Sequence, residues 1–91
     1  MKKVQIKNID YTQYTLIDEK KEEYVVSLEF LGEKKPKIGD VLYISDTILL
    51  EKNHYCFGSL GSVYSKNDGN TDEIIKVVSE EGEYYLQRYY G

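Results

Sequence analysis

From Glu23 to Leu31 the chain reads EYVVSLEFL, and this stretch leaves little choice of local structure. On an extended backbone Tyr24, Val26, Leu28 and Phe30 share one face, and Val25, Ser27, Glu29 and Leu31 share the other. A helix would send the first four to opposite sides, whereas a strand lets them be buried together. One strand can neither cover its own apolar face nor pair its own backbone, so the rest of a 91-residue chain has to supply elements that do.

The flanking sequence supplies them. In KVQIKNI, Val4 and Ile6 oppose Lys3, Gln5 and Lys7, which predicts a half-buried strand that continues, bent, through YTLI at 14–17. Asp18 to Glu23 reads as a charged turn. GEKKPKIGD holds the only proline and two glycines and reads as a loop. VLYIS is a short strand with Leu42 and Ile44 opposed to Val41, Tyr43 and Ser45. Ser45 or Asp46 can cap a helix start and Asn53 can end one, so a short helix is predicted over 47–52. YCFGSLGS is extended and then turns at Gly58 and Gly61, and residues 65–72 form a polar loop.

EIIKVVS at 73–79 admits two readings. Asn70 with Glu73 resembles a helix capping box, and Ile74, Val77 and Val78 have helical spacing. Four of its residues are β-branched, however, and a turn follows at once at Glu80 to Gly82, which favours a strand paired in a hairpin with EYYLQRYY. In that hairpin Tyr84 and Leu86 point inward with Arg88 near the rim. Ile74, Val78, Tyr85 and Tyr89 then form an apolar outer stripe. Four of the ten tyrosines lie in the last eight residues, and a tyrosine offers large apolar area with a polar tip.

Three features together resemble the OB-fold: a long bent first strand, the segment KIGDVLYI, and a short helix between the third and fourth strands. IGDVLYI is equally similar to a segment of SH3-like barrels. The resemblance spans most of the chain and implies a mainly β, five-stranded OB-like or SH3-like barrel forming a single domain over 1–91, with a ligand face on strands two and three that includes Tyr43. The words YCFGSLG and EYYLQRYYG are similar to those of small bacterial proteins and imply no activity.

Charge and composition narrow the functions. Residues 1–38 carry eight lysines against seven acids, and residues 39–91 carry four basic groups against nine acids, giving +1 and −5 and a net −4. A nucleic-acid surface needs a basic stripe. The runs Lys20-Lys21 and Lys34-Lys35-Lys37 are flanked by Glu19, Glu22, Glu23 and Glu33 and read as solvated turns. No apolar run is long enough to span a membrane, and Gln5, Lys7, Asn8 and Asp10 interrupt any signal-peptide core after Met1-Lys2-Lys3. The lone cysteine, Cys56, has no disulfide partner within the chain and fits a reducing compartment, so a cytoplasmic location is expected.

No catalytic constellation stands out. His54 and Cys56 share a strand face, but a thiol–imidazole nucleophile also needs an orienting group, and a closed zinc site needs four ligands where the chain has one His and one Cys. The pair is read as a small buried cysteine beside a loop histidine, chemically idle. Glu80, Glu81 and Glu83 read as solvated turn acids. DGNTDE (68–73) lacks the ligand spacing of a calcium loop, and GSLGS lacks the Lys-Ser/Thr ending of a phosphate loop. No cofactor is expected. The sequence therefore predicts a non-enzymatic interaction module, self-associating or binding a protein partner through Tyr85, Tyr89, Ile74 and Val78. An OB-like binder of single-stranded nucleic acid or oligosaccharide is the alternative, with the negative charge counting against nucleic acid.

Overall fold

A computed structural model describes residues 1–51, 53–59 and 74–88. Seven strands and one short helix follow one another among them: β1 (Lys2–Asp10), β2 (Gln13–Asp18), β3 (Glu23–Leu31), β4 (Val41–Ile44), α1 (Asp46–Leu50), β5 (His54–Ser59), β6 (Ile74–Ser79) and β7 (Gly82–Arg88). All seven belong to one sheet in the order β1-β2-β3-β5-β7-β6-β4, and β4 pairs back onto β1, so the sheet closes on itself as a barrel. The pairs are antiparallel except β3 with β5, which run parallel.

The five-stranded expectation is corrected to seven strands, for two reasons. The first strand does not continue into YTLI. A bulge at Lys7 shifts its register between Ile6 and Asn8, and the chain then reverses at Tyr11-Thr12, with Tyr11 at φ 58°, so that β2 folds back on β1. The YCFGS segment, expected to be extended and to turn at Gly58, is a strand that runs through Gly58 to Ser59, joined to β3 on one side and β7 on the other. The helix consequently follows the fourth strand.

Alternation places the core. Val26, Leu28 and Phe30 of β3 are buried while Val25, Glu29 and Leu31 face outward. Leu16, Leu42, Ile44, Tyr55, Phe57 and Leu86 join them from neighbouring strands. Phe30 meets Tyr14 edge-on at 5.3 Å and stacks on Phe57 at 6.2 Å, so three strands share one aromatic cluster. In α1, Ser45, one of the two caps expected, accepts a hydrogen bond from the Thr47 amide at 3.1 Å while Asp46 is the first helical residue, and Ile48 and Leu49 are buried. The helix ends at Leu50, because Glu51 is already extended; it stops short of the predicted residue 52 and of Asn53. Residues 74–79 are strand, and the β6–β7 turn is held by Ser79, whose hydroxyl donates to the Gly82 carbonyl and accepts from the Glu81 amide.

Two buried carboxylates anchor the loops. Asp40 accepts from the Lys37 amide, and its own carbonyl accepts from the Ile6 amide at 2.9 Å, which ties the 32–40 loop to β1 just before the bulge. Asp18 accepts from the Lys20 and Glu22 amides through Oδ1 and from the Tyr24 hydroxyl through Oδ2, with Lys2 Nζ 3.8 Å away. The Glu22 amide is the largest cause holding the Asp18 carboxyl below its ordinary pKa, and Lys20, Tyr24 and Lys2 act in the same direction against partial burial. A depressed folded-state pKa gives stability that is complete above the unfolded value of about 3.9 and is lost as pH falls toward the folded value. Asp18→Asn is therefore expected to lower stability at neutral pH and to flatten its decline below about pH 4. Denaturant melts of both proteins across the acid range check this, and parallel curves would show that the turn does not depend on the charge.

Candidate functional site

Register assembles two outer surfaces. The first lies on β1, β4, β6 and β7. Lys3 pairs with Tyr43, Tyr43 with Lys76, and Lys76 with Tyr85, so one row of outward side chains reads Lys3, Tyr43, Lys76, Tyr85 across four strands. Lys76 Nζ lies 5.4 Å from the Tyr43 ring centroid and 3.3 Å from Glu83 Oε1. Hydrogen bonding to Glu83 and the charge of that carboxylate are the main causes raising the Lys76 pKa. The next row along reads Gln5, Val41, Val78, Glu83.

The tyrosine stripe takes a different shape from the one expected. Tyr85 faces outward and is 48% exposed, Val78 is half-buried, and Ile74 has outward parity but is only 9% exposed, so it offers little surface. Tyr89 lies outside the described residues. Tyr43, assigned from sequence to a separate ligand face, instead joins Tyr85 through Lys76. The inward assignments of Tyr84 and Leu86 match their packing: Leu86 is fully buried and Tyr84 packs partly against the core. Arg88 sits with its guanidinium 4.6 Å from the Tyr55 ring centroid.

The second surface is the outer face of the parallel pair. Ser27 is in register with His54, and Glu29 with Cys56, so four polar side chains occupy adjacent corners of the β3–β5 ladder. His54 Nδ1 lies 2.7 Å from Ser27 Oγ, and its Nε2 lies 3.1 Å from Glu29 Oε1. Cys56 Sγ lies 3.7 Å from His54 Nε2 and 3.8 Å from Glu29 Oε1. This corrects the expected buried cysteine beside a loop histidine. His54 opens β5, Cys56 is only half-buried, and Glu29 is the third partner that neither residue had in sequence. The arrangement works against a nucleophile, because partial burial first and then the Glu29 carboxylate raise the thiol pKa, so the reactive thiolate is disfavoured.

The lysines of the 32–40 loop gather with Tyr84 in a cleft against the β6–β7 turn, and Lys34 Nζ stands 5.1 Å from the Tyr84 ring centroid. Glu33, Asp40, Glu81 and Glu83 line the same cleft, so it has no single sign of charge. No helix among the described residues is long and apolar enough to cross a membrane. DGNTDE, the 65–72 loop and the Gly61 turn lie outside the described residues. No family model, curated protein or solved structure matches the chain, so its own residues carry the functional argument.

The parity of β7 can be tested directly. Leu86→Ala removes a fully buried side chain and is expected to cost about 3 kcal/mol. Tyr85→Ala, on the opposite face, is expected to change stability by no more than about 0.5 kcal/mol. Thermal or urea melts of the two variants distinguish them, and equal losses would mean that the outer ring is needed for folding.

Proposed function

We propose that the protein is a non-enzymatic cytoplasmic interaction module whose contact surface is the outer face of β4, β6 and β7, centred on Tyr43, Lys76 and Tyr85. The observation that carries this reading is the cross-strand row in which two tyrosines flank one lysine, with Val41 and Val78 beside it. Among the described residues every strand has a neighbour on both sides, which disfavours strand addition at an edge and leaves recognition to side chains on the faces. Tyrosine suits such a face, since its ring gives large contact area with few rotatable bonds. Self-association is the occupant favoured here, because the row alternates lysine and tyrosine and an antiparallel copy would set cations over rings.

A second reading, binding of single-stranded nucleic acid or oligosaccharide, draws on the same rings, with Lys3 and Lys76 beside them. Glu83 neutralises Lys76 and the net charge is −4, which weighs against the nucleic-acid form. Sedimentation velocity over a range of concentrations separates the readings. The wild type is expected to self-associate, and Tyr43→Ala with Tyr85→Ala to remain folded and monomeric. A wild type that stays monomeric while binding fluorescent single-stranded oligonucleotides or a glycan in a salt-dependent or saturable way would move the assignment to the second reading. Silence in all three assays would remove the surface from consideration.

A further inference from the structure

The geometry points to a metal site on the outer face of the β3–β5 pair, in which Cys56 Sγ, His54 Nε2 and Glu29 Oε1 coordinate one borderline-soft divalent cation of the Zn²⁺ class. These three atoms lie within 4.8 Å of one another, and each comes from a different residue able to ligate a metal. Their separations are 3.7, 3.8 and 3.1 Å. Zn²⁺ bound tetrahedrally at about 2.3 Å from sulfur and about 2.0–2.2 Å from nitrogen and oxygen would set its ligand atoms about 3.3–3.6 Å apart. Shifts of a few tenths of an ångström would thus convert the present triangle into three edges of a tetrahedron.

The supporting groups fit the same purpose. A metal-bound imidazole uses one nitrogen for the ion and fixes the other by a hydrogen bond. Without an ion, Nε2–H can donate to Glu29; with one bound, Ser27 Oγ, 2.7 Å from Nδ1, can accept the proton of that nitrogen and free the Nε2 lone pair for the metal. The ligands come from two paired strands, which hold spacing better than loops do. The Glu29 and His54 side chains are about half exposed, at 48% and 46%, so an ion has a path in and a fourth position open to water. The set combines thiolate, imidazole and carboxylate, a choice that suits zinc and disfavours magnesium and calcium, which take oxygen ligands. It is not the closed four-ligand site that one His and one Cys exclude. Binding exchanges the Cys56 thiol proton for the ion and releases that proton to solvent.

Titration of the whole chain with ZnCl₂ under a thiol-free reductant, followed by calorimetry, and with CoCl₂, followed by absorption, tests the site. One ion per chain and a thiolate-to-cobalt charge-transfer band are expected in the wild type. Cys56→Ser is expected to lose the band, His54→Ala and Glu29→Gln to weaken zinc binding at least about tenfold, and Ser27→Ala, which touches no metal, to weaken it by about 10- to 100-fold. Circular dichroism establishes that each variant is folded. If His54→Ala fails to fold, Ser27→Ala and Cys56→Ser carry the test. A folded wild type with no saturable titration, a cobalt spectrum without the sulfur band, or a Cys56→Ser protein with unchanged affinity would overturn the assignment.

Discussion

The parallel pairing of β3 with β5 is the constraint on which the remaining topology turns. The chain leaves β3 at Leu31, lays β4 against β1 on the far side of the sheet, passes through α1, and returns at His54 to run alongside β3 in the same direction. Parallel neighbours require such a crossover, because no tight turn can join them. After that excursion β4 and β5 each have one unpaired edge, separated by a gap. The β6–β7 hairpin fills it, with β6 on β4 and β7 on β5. The driving force is ordinary: backbone amides and carbonyls left without partners on buried edges are costly, and closure satisfies them.

Closure also determines how the interior is built. Phe57 of β5 is fully buried and stacks on Phe30 of β3, so the parallel pair brings both phenylalanines of the chain into contact. Complete burial of such a side chain contributes about 1.5–3 kcal/mol. α1 is anchored by Ser45 at its start and by Ile48 and Leu49 beneath it, and Tyr55 donates to Glu51 just beyond its end. Asp18 and Asp40 let two polar loops lie close against the sheet, since each carboxylate accepts the amides that the turn would otherwise leave unpaired.

The same ladder writes the outer surface in two styles. Antiparallel registers carry one row of lysines and tyrosines across β1, β4, β6 and β7. The parallel register places Ser27 beside His54 and Glu29 beside Cys56, a small square of polar and ligating groups. Neither surface is assembled by a local motif, and each draws residues from strands far apart in sequence. The fold is thus a frame that sorts inward apolar positions from outward polar ones and then lets register decide which outward groups meet.

What the sequence determined by itself was parity and punctuation. The inward sets of β3, β4 and β7, the charged turn at Asp18, the loop around Pro36 and a cap at Ser45 or Asp46 were all legible, because each depends on residues only a few positions apart. The end of β1 was not among them, since its alternation was expected to run on, bent, through YTLI. Its inward positions run Val4, Ile6 and then Ile9, and that break in the alternation is the local trace of the bulge. Tertiary structure alone decided that YCFGS is a strand, since its partners β3 and β7 stand on either side of it in space and distant in the chain. It alone brought Tyr43 to Tyr85 and Glu29 to His54, the latter pair 25 residues apart. Alternation tells which way a side chain points, but it carries no record of which strand lies alongside, and that choice is made by the closure of backbone hydrogen bonds around the whole sheet.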